Sequence, residues 1–102
     1  VINEFGGDIK ETYGVPVEQL VDAIKHGVRK INIDTDLRLA STGAMRRLMA
    51  EKPSEFDPRK FFSATVDAMK QICVDRYEAF GTAGHADKIR PISLEKMVGR
   101  YK

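Results

Sequence analysis

With 102 residues, 42% of them hydrophobic and 31% charged, the chain has the composition of one soluble globular unit and is not depleted in apolar residues as disordered chains are. Its 17 basic and 15 acidic residues leave a formal charge of +2, too balanced for binding along a phosphate backbone, so nucleic acid is not an expected partner. No apolar run reaches bilayer length, and the single Cys73 cannot close an internal disulfide, so no membrane association and a reducing, cytoplasmic setting are expected. The opening residues carry neither a basic nor an apolar targeting region, and the start at Val1 without methionine suggests a processed or truncated chain.

Residues 4–14 mix glycine with charge and read as a loop. Pro16 suits a helix opening, and Leu20, Val21 and Ile24 recur at helical spacing before Lys25, His26 and Gly27 supply a basic last turn and a stop, so a helix is predicted over about 17–26. Val28 to Ile33 alternates apolar and polar residues with β-branched side chains at 28, 31 and 33, which predicts a strand. Thr35 or Asp36 can cap the next helix, whose apolar residues Leu37, Ala40, Ala44, Leu48 and Met49 run to Lys52 before Pro53. Asp57 and Pro58 form a capped helix start, and the longest helix is predicted from Pro58 to about Phe80, with Gly81 ending it. Ser93 can cap a short final helix from Leu94.

A lone strand among helices has no partner for its backbone N–H and C=O groups. Helix, strand, helix is the rhythm of a parallel α/β sheet, so either the remaining strands belong to a larger α/β protein or residues 28–33 are not a strand when the chain stands alone.

The chemically richest stretch is Asn32, Ile33, Asp34, Thr35, Asp36, at the expected junction of a strand end and a helix start. In parallel α/β folds that edge binds ligands, and a helix N-terminus there favours phosphate. Taken by itself, the same run also fits an ordinary Asx turn with an N-cap. Arg59 alone reads as a solvated first-turn residue. His26 and His85 have no metal-ligand spacing with Cys73; His26 reads as a helix C-terminal residue, His85 as a surface loop residue and Cys73 as a core thiol. Arg46 and Arg47 read as part of a solvated face.

The segment GVRKINIDTDLRLA closely resembles the eighth-strand region of class II fructose-bisphosphate aldolases. GGDIKETYGVPVEQLVDAIKHGV, FDPRKFF and YEAFGTAGHADKIRPISLEKM resemble the longer subgroup of that family in the same order. The resemblance covers nearly the whole chain. It implies that residues 1–102 are the C-terminal part of one (β/α)8 barrel domain, namely its last strand and C-terminal helices, in a zinc-dependent lyase of glycolysis or the Calvin cycle. That enzyme reversibly cleaves fructose 1,6-bisphosphate to dihydroxyacetone phosphate and glyceraldehyde 3-phosphate. Asn32, Ile33 (through its backbone), Asp34 and Thr35 would then bind the dihydroxyacetone phosphate portion. Arg59 would reach across a homodimer interface to the other phosphate. The Zn²⁺ ligands and the proton-transferring acid would lie on other segments, so this chain supplies no catalytic or metal-binding residue and would be inactive by itself. A tagatose bisphosphate aldolase and a non-catalytic helical interaction module are the alternative readings.

Overall fold

Punctuation by proline and glycine sets the helices found in the computed structural model, which describes residues 1–101. Helix α1 (Val17–Lys25) starts after Pro16 at the N-cap, and it stops where His26 caps it and Gly27 takes φ +107°, a left-handed conformation that suits glycine. Helix α2 (Thr35–Glu51) ends two residues before Pro53, with Lys52 as C-cap. Helix α3 (Pro58–Ala79) has Asp57 as N-cap and proline in its first turn. Helix α4 (Leu94–Arg100) follows Ser93, whose hydroxyl accepts from the Lys96 N–H at 3.5 Å. A short 3₁₀ turn, Ala86–Lys88, was not foreseen in the loop before α4.

The strand predicted over residues 28–33 is absent: among the described residues there is no β-strand. The segment is extended, and Lys30, Ile31, Asn32 and Ile33 make no backbone hydrogen bond to another backbone group. A strand is a property of a pair, and the chain offers no neighbour with a free edge. The two-residue period survives nonetheless. Ile31 and Ile33 turn into a groove against Ile24, Cys73, Tyr77 and Phe80, while Lys30 and Asn32 remain exposed.

Helices α2 and α3 form an antiparallel hairpin, because Asp36 in the first turn of α2 meets Arg76 near the end of α3. Small residues, Ala40, Gly43 and Ala44 on α2 and Ala68 on α3, line the space beside this hairpin together with Leu39 and Ile72. The N-terminal turn lies across α2 at Gly43, where an added Cβ would sit 3.2 Å from Val1 Cγ1. Arg47 is exposed, as a solvated face requires, and Arg46 is half-buried, but both engage the N-terminal turn. Arg46 Nη1 donates to the Gly6 carbonyl at 2.8 Å, and the Arg47 guanidinium lies 5.5 Å from the Phe5 ring centroid. Asn3 clamps Ile9 at both its C=O (2.8 Å) and its N–H (3.0 Å), which shapes the loop between the N-terminal turn and α1.

What this arrangement lacks is an interior. Ile2 is the one buried hydrophobic residue among those described, whereas Phe56, Phe62, Val66, Tyr77, Leu94 and Tyr101 are exposed. The chain presents 8556 Å² of surface, against about 5,800 Å² for a compact protein of this mass. Its radius of gyration is 18.3 Å, against about 13 Å for a compact chain of this length. Burial of apolar surface is the main term opposing conformational entropy, and most of it is missing. The polypeptide of residues 1–102 is therefore expected to melt broadly by circular dichroism, without a sigmoidal transition. A sharp two-state melt would show that it carries its own core and would favour the interaction-module reading.

Candidate functional site

Asn32, Ile33, Asp34 and Thr35 form one continuous ledge running from the extended segment into the first turn of α2. Lys30 Nζ donates to Asn32 Oδ1 at 2.6 Å, which engages the amide oxygen, while the NH₂ of the exposed Asn32 has no hydrogen-bond partner among the described residues. Asp34, rather than Thr35 or Asp36, is the N-cap residue, yet its carboxylate makes no capping bond. It is held by Arg38 one turn on, with Arg38 Nε donating to Asp34 Oδ1 at 2.8 Å. The amides of Thr35, Asp36 and Leu37 at the start of α2 therefore make no hydrogen bond among the described residues. Such amides are donors for an anion, reinforced by the helix dipole.

Behind the ledge, Asp36 fixes the start of α2. Its Oδ2 accepts from Arg76 Nη2 at 2.7 Å and its Oδ1 accepts from the Gly14 N–H at 3.4 Å, so one carboxylate joins α2, α3 and the loop before α1. Both partners are largely covered, Arg76 at 17% and Asp36 at 22% side-chain exposure. Arg76 Nε is buried with no partner among the described residues.

Arg59 lies at the opposite end of the hairpin. Seventeen residues of α3 separate it from Arg76, a rise of about 25 Å, so a single copy of the chain does not bring Arg59 to the 32–35 ledge. Its partner is Asp57. Arg59 Nε donates to both carboxylate oxygens at 3.0 Å, Nη2 donates to Oδ2 at 2.7 Å, and the Arg59 backbone N–H donates to Oδ1 at 3.0 Å as the helix cap. The side-chain bonds from Arg59 foremost, and then its backbone N–H, hold the Asp57 carboxyl below its ordinary pKa, partly opposed by lost hydration and aided by the nearby Lys60 charge. The Arg59 pKa is raised by the same side-chain bonds. A carboxyl whose folded pKa is depressed stabilises the fold above its unfolded value, so this pair is intact at neutral pH and is lost in acid as pH falls through the depressed value.

The histidines are peripheral to both places. His26 caps α1, with Nδ1 3.0 Å from the Asp22 carbonyl oxygen, and His85 Nδ1 lies 2.9 Å from Lys88 Nζ in the loop before α4. Cys73 is half-buried in the groove beneath Ile31 and Ile33. No group of three or more His, Cys, Asp or Glu that could hold a metal ion occurs among the described residues, so the residues present do not fit a zinc site. No described helix is long and apolar enough to cross a membrane.

Sequence reading passed over Lys30, Arg38, Asp57 as an arginine partner, and the Asp36–Arg76 pair. The i, i+4 spacing of Asp34 and Arg38 and the two-residue spacing of Asp57 and Arg59 were available signals. Nothing local could pair residues 40 apart.

Residues 11–85 match the family model described as fructose-bisphosphate aldolase class-II, which is most of the chain. The chain belongs to the class II fructose-bisphosphate aldolase family. Its relatives include the fructose-bisphosphate aldolase of Pseudomonas aeruginosa, 73% identical over 101 residues, and that of Stutzerimonas stutzeri, 70% identical over 101 residues. Each alignment covers 99% of this chain and 28% of the relative. Fructose-bisphosphate aldolase 2 of Rhodobacter capsulatus is 55% identical over 99% of this chain, and there the match covers 89% of the relative. The chain thus spans little more than a quarter of the length of the first two relatives.

Proposed function

We propose that this chain is the substrate-gripping C-terminal part of a class II aldolase that reversibly cleaves fructose 1,6-bisphosphate into dihydroxyacetone phosphate and glyceraldehyde 3-phosphate. The whole protein is read as a (β/α)8 barrel in which residues 28–33 find the strand neighbours they lack and residues 1–102 complete a single domain. Zinc dependence follows from the family, with the metal held by residues outside this chain.

The observation that carries the reading is the ledge at residues 32–35, where outward polar side chains meet the free first-turn amides of α2. Asn32, with its oxygen held by Lys30, can donate to a carbonyl or hydroxyl of the ketose. Asp34 can accept from substrate hydroxyl groups. The Thr35 hydroxyl and the neighbouring amides can receive the phosphate next to the cleaved fragment, and Ile33 contributes backbone alone. In aldol cleavage the bond between C3 and C4 breaks, the C4 hydroxyl proton departs, and the electron pair stays on the dihydroxyacetone phosphate half before C3 is reprotonated. The work of this chain is to hold that half still while charge develops on it.

The rise of about 25 Å along α3 from Arg59 to Arg76, whose end of the hairpin adjoins the ledge, fits a homodimer in which Arg59 of one copy serves the other copy's site. The test is Asn32→Ala in a full-length polypeptide carrying this segment. Loss of one oriented polar contact to a developing charge is expected to lower kcat by about 10²-fold with fructose 1,6-bisphosphate. Unchanged kcat would reduce Asn32 to a surface residue.

A further inference from the structure

Arg59 is 88% exposed at the side chain, a setting in which an arginine ordinarily samples many rotamers. It does not do so freely. Asp57 is tied into the backbone by its capping bond to the Arg59 N–H, and it is the more covered partner at 25% exposure. Its carboxylate grips the guanidinium side-on, through Nε and one N–H of Nη2. The other donors of the planar fork, including both on Nη1, make no hydrogen bond among the described residues and face away from the carboxylate. Those outward donors suit a second oxyanion.

We infer that Asp57 is a positioning residue, its carboxylate orienting Arg59 so that the free edge of the guanidinium is set in advance for a substrate phosphate. The inference rests on the reading of Arg59 as a phosphate ligand. Two effects of Asp57 oppose each other. Its negative charge weakens the attraction of Arg59 for phosphate, while its geometry removes most of the ordering that binding would otherwise require. Before substrate binds, Arg59 is exposed and, unpaired, would sample many rotamers, so the ordering that Asp57 removes outweighs the charge it contributes. Positioning therefore dominates.

Asp57→Asn separates these effects because asparagine caps a helix about as well as aspartate, so the start of α3 is kept while the ion pair is lost. In the full-length protein the variant is expected to raise KM for fructose 1,6-bisphosphate about three- to tenfold, with a smaller change in kcat and only a small fall in melting temperature, as for an exposed pair. In an Arg59→Ala background the same substitution is expected to have no further effect on KM, because the residue it positions is gone. A lowered KM in Asp57→Asn would show that the carboxylate competes with substrate, and an equal rise in both backgrounds would show a purely structural role. An unchanged KM in Asp57→Asn alongside a raised KM in Arg59→Ala would likewise overturn the inference while leaving the Arg59 assignment standing. If Arg59→Ala itself leaves KM unchanged, the phosphate assignment fails, and the positioning role with it.

Discussion

Arg59→Ala in the full-length protein is expected to lower kcat/KM for fructose 1,6-bisphosphate by about 30- to 100-fold, chiefly through KM. That is the size expected for the loss of a charge-assisted contact to a phosphate. The effect falls on KM because a phosphate remote from the broken bond carries the same charge in the ground state and the transition state. Arg59→Lys should recover part of the loss, since an ammonium restores the charge without the fork that Asp57 holds side-on. Mixing the Arg59→Ala and Asn32→Ala proteins also tests the proposed dimer. Because Arg59 and the ledge lie at opposite ends of one copy, a mixed dimer would contain one site with both groups intact and regain activity. No recovery under subunit exchange would count against a shared site.

The second large effect is on stability. Arg76→Met is expected to destabilise the full-length protein by about 2 kcal/mol, between the range for exposed pairs and that for buried ones. The substitution keeps most of the side-chain volume but leaves the Asp36 carboxylate largely covered and unpaired at the start of α2. Asp36→Asn should cost less, since the amide oxygen can still accept from Arg76 at the expense of the longer Gly14 N–H contact, and no carboxylate is left unpaired. Equilibrium urea unfolding of the three proteins provides the comparison. Equal stability of Arg76→Met and the parent would mean that the pair gains no more than it loses in hydration. Because Asp36 adjoins Thr35, a loosened α2 start should also weaken the 32–35 ledge, visible as a raised KM for substrate well below the melting temperature.

The ion pair marks where sequence reading stops. Proline, glycine and capping residues act over one turn, so Pro16, Gly27, Thr35, Pro53, Asp57, Pro58, Gly81 and Ser93 disclosed the starts of all four α-helices and the ends of the first three to within a residue or two. The alternation of residues 28–33 disclosed their two faces, and these persist in the extended segment. The same alternation could not make a strand, because strand formation depends on a partner that residues 1–101 do not contain. Ledge and arginine were visible as residue types and motifs. Their separation by the length of α3, the grip of Asp57 on Arg59 and the tie between Asp36 and Arg76 were decided by tertiary structure. Helix propensity and capping are local energies written in neighbouring residues, whereas the meeting of side chains 40 residues apart depends on which faces pack and on the direction of the returning helix.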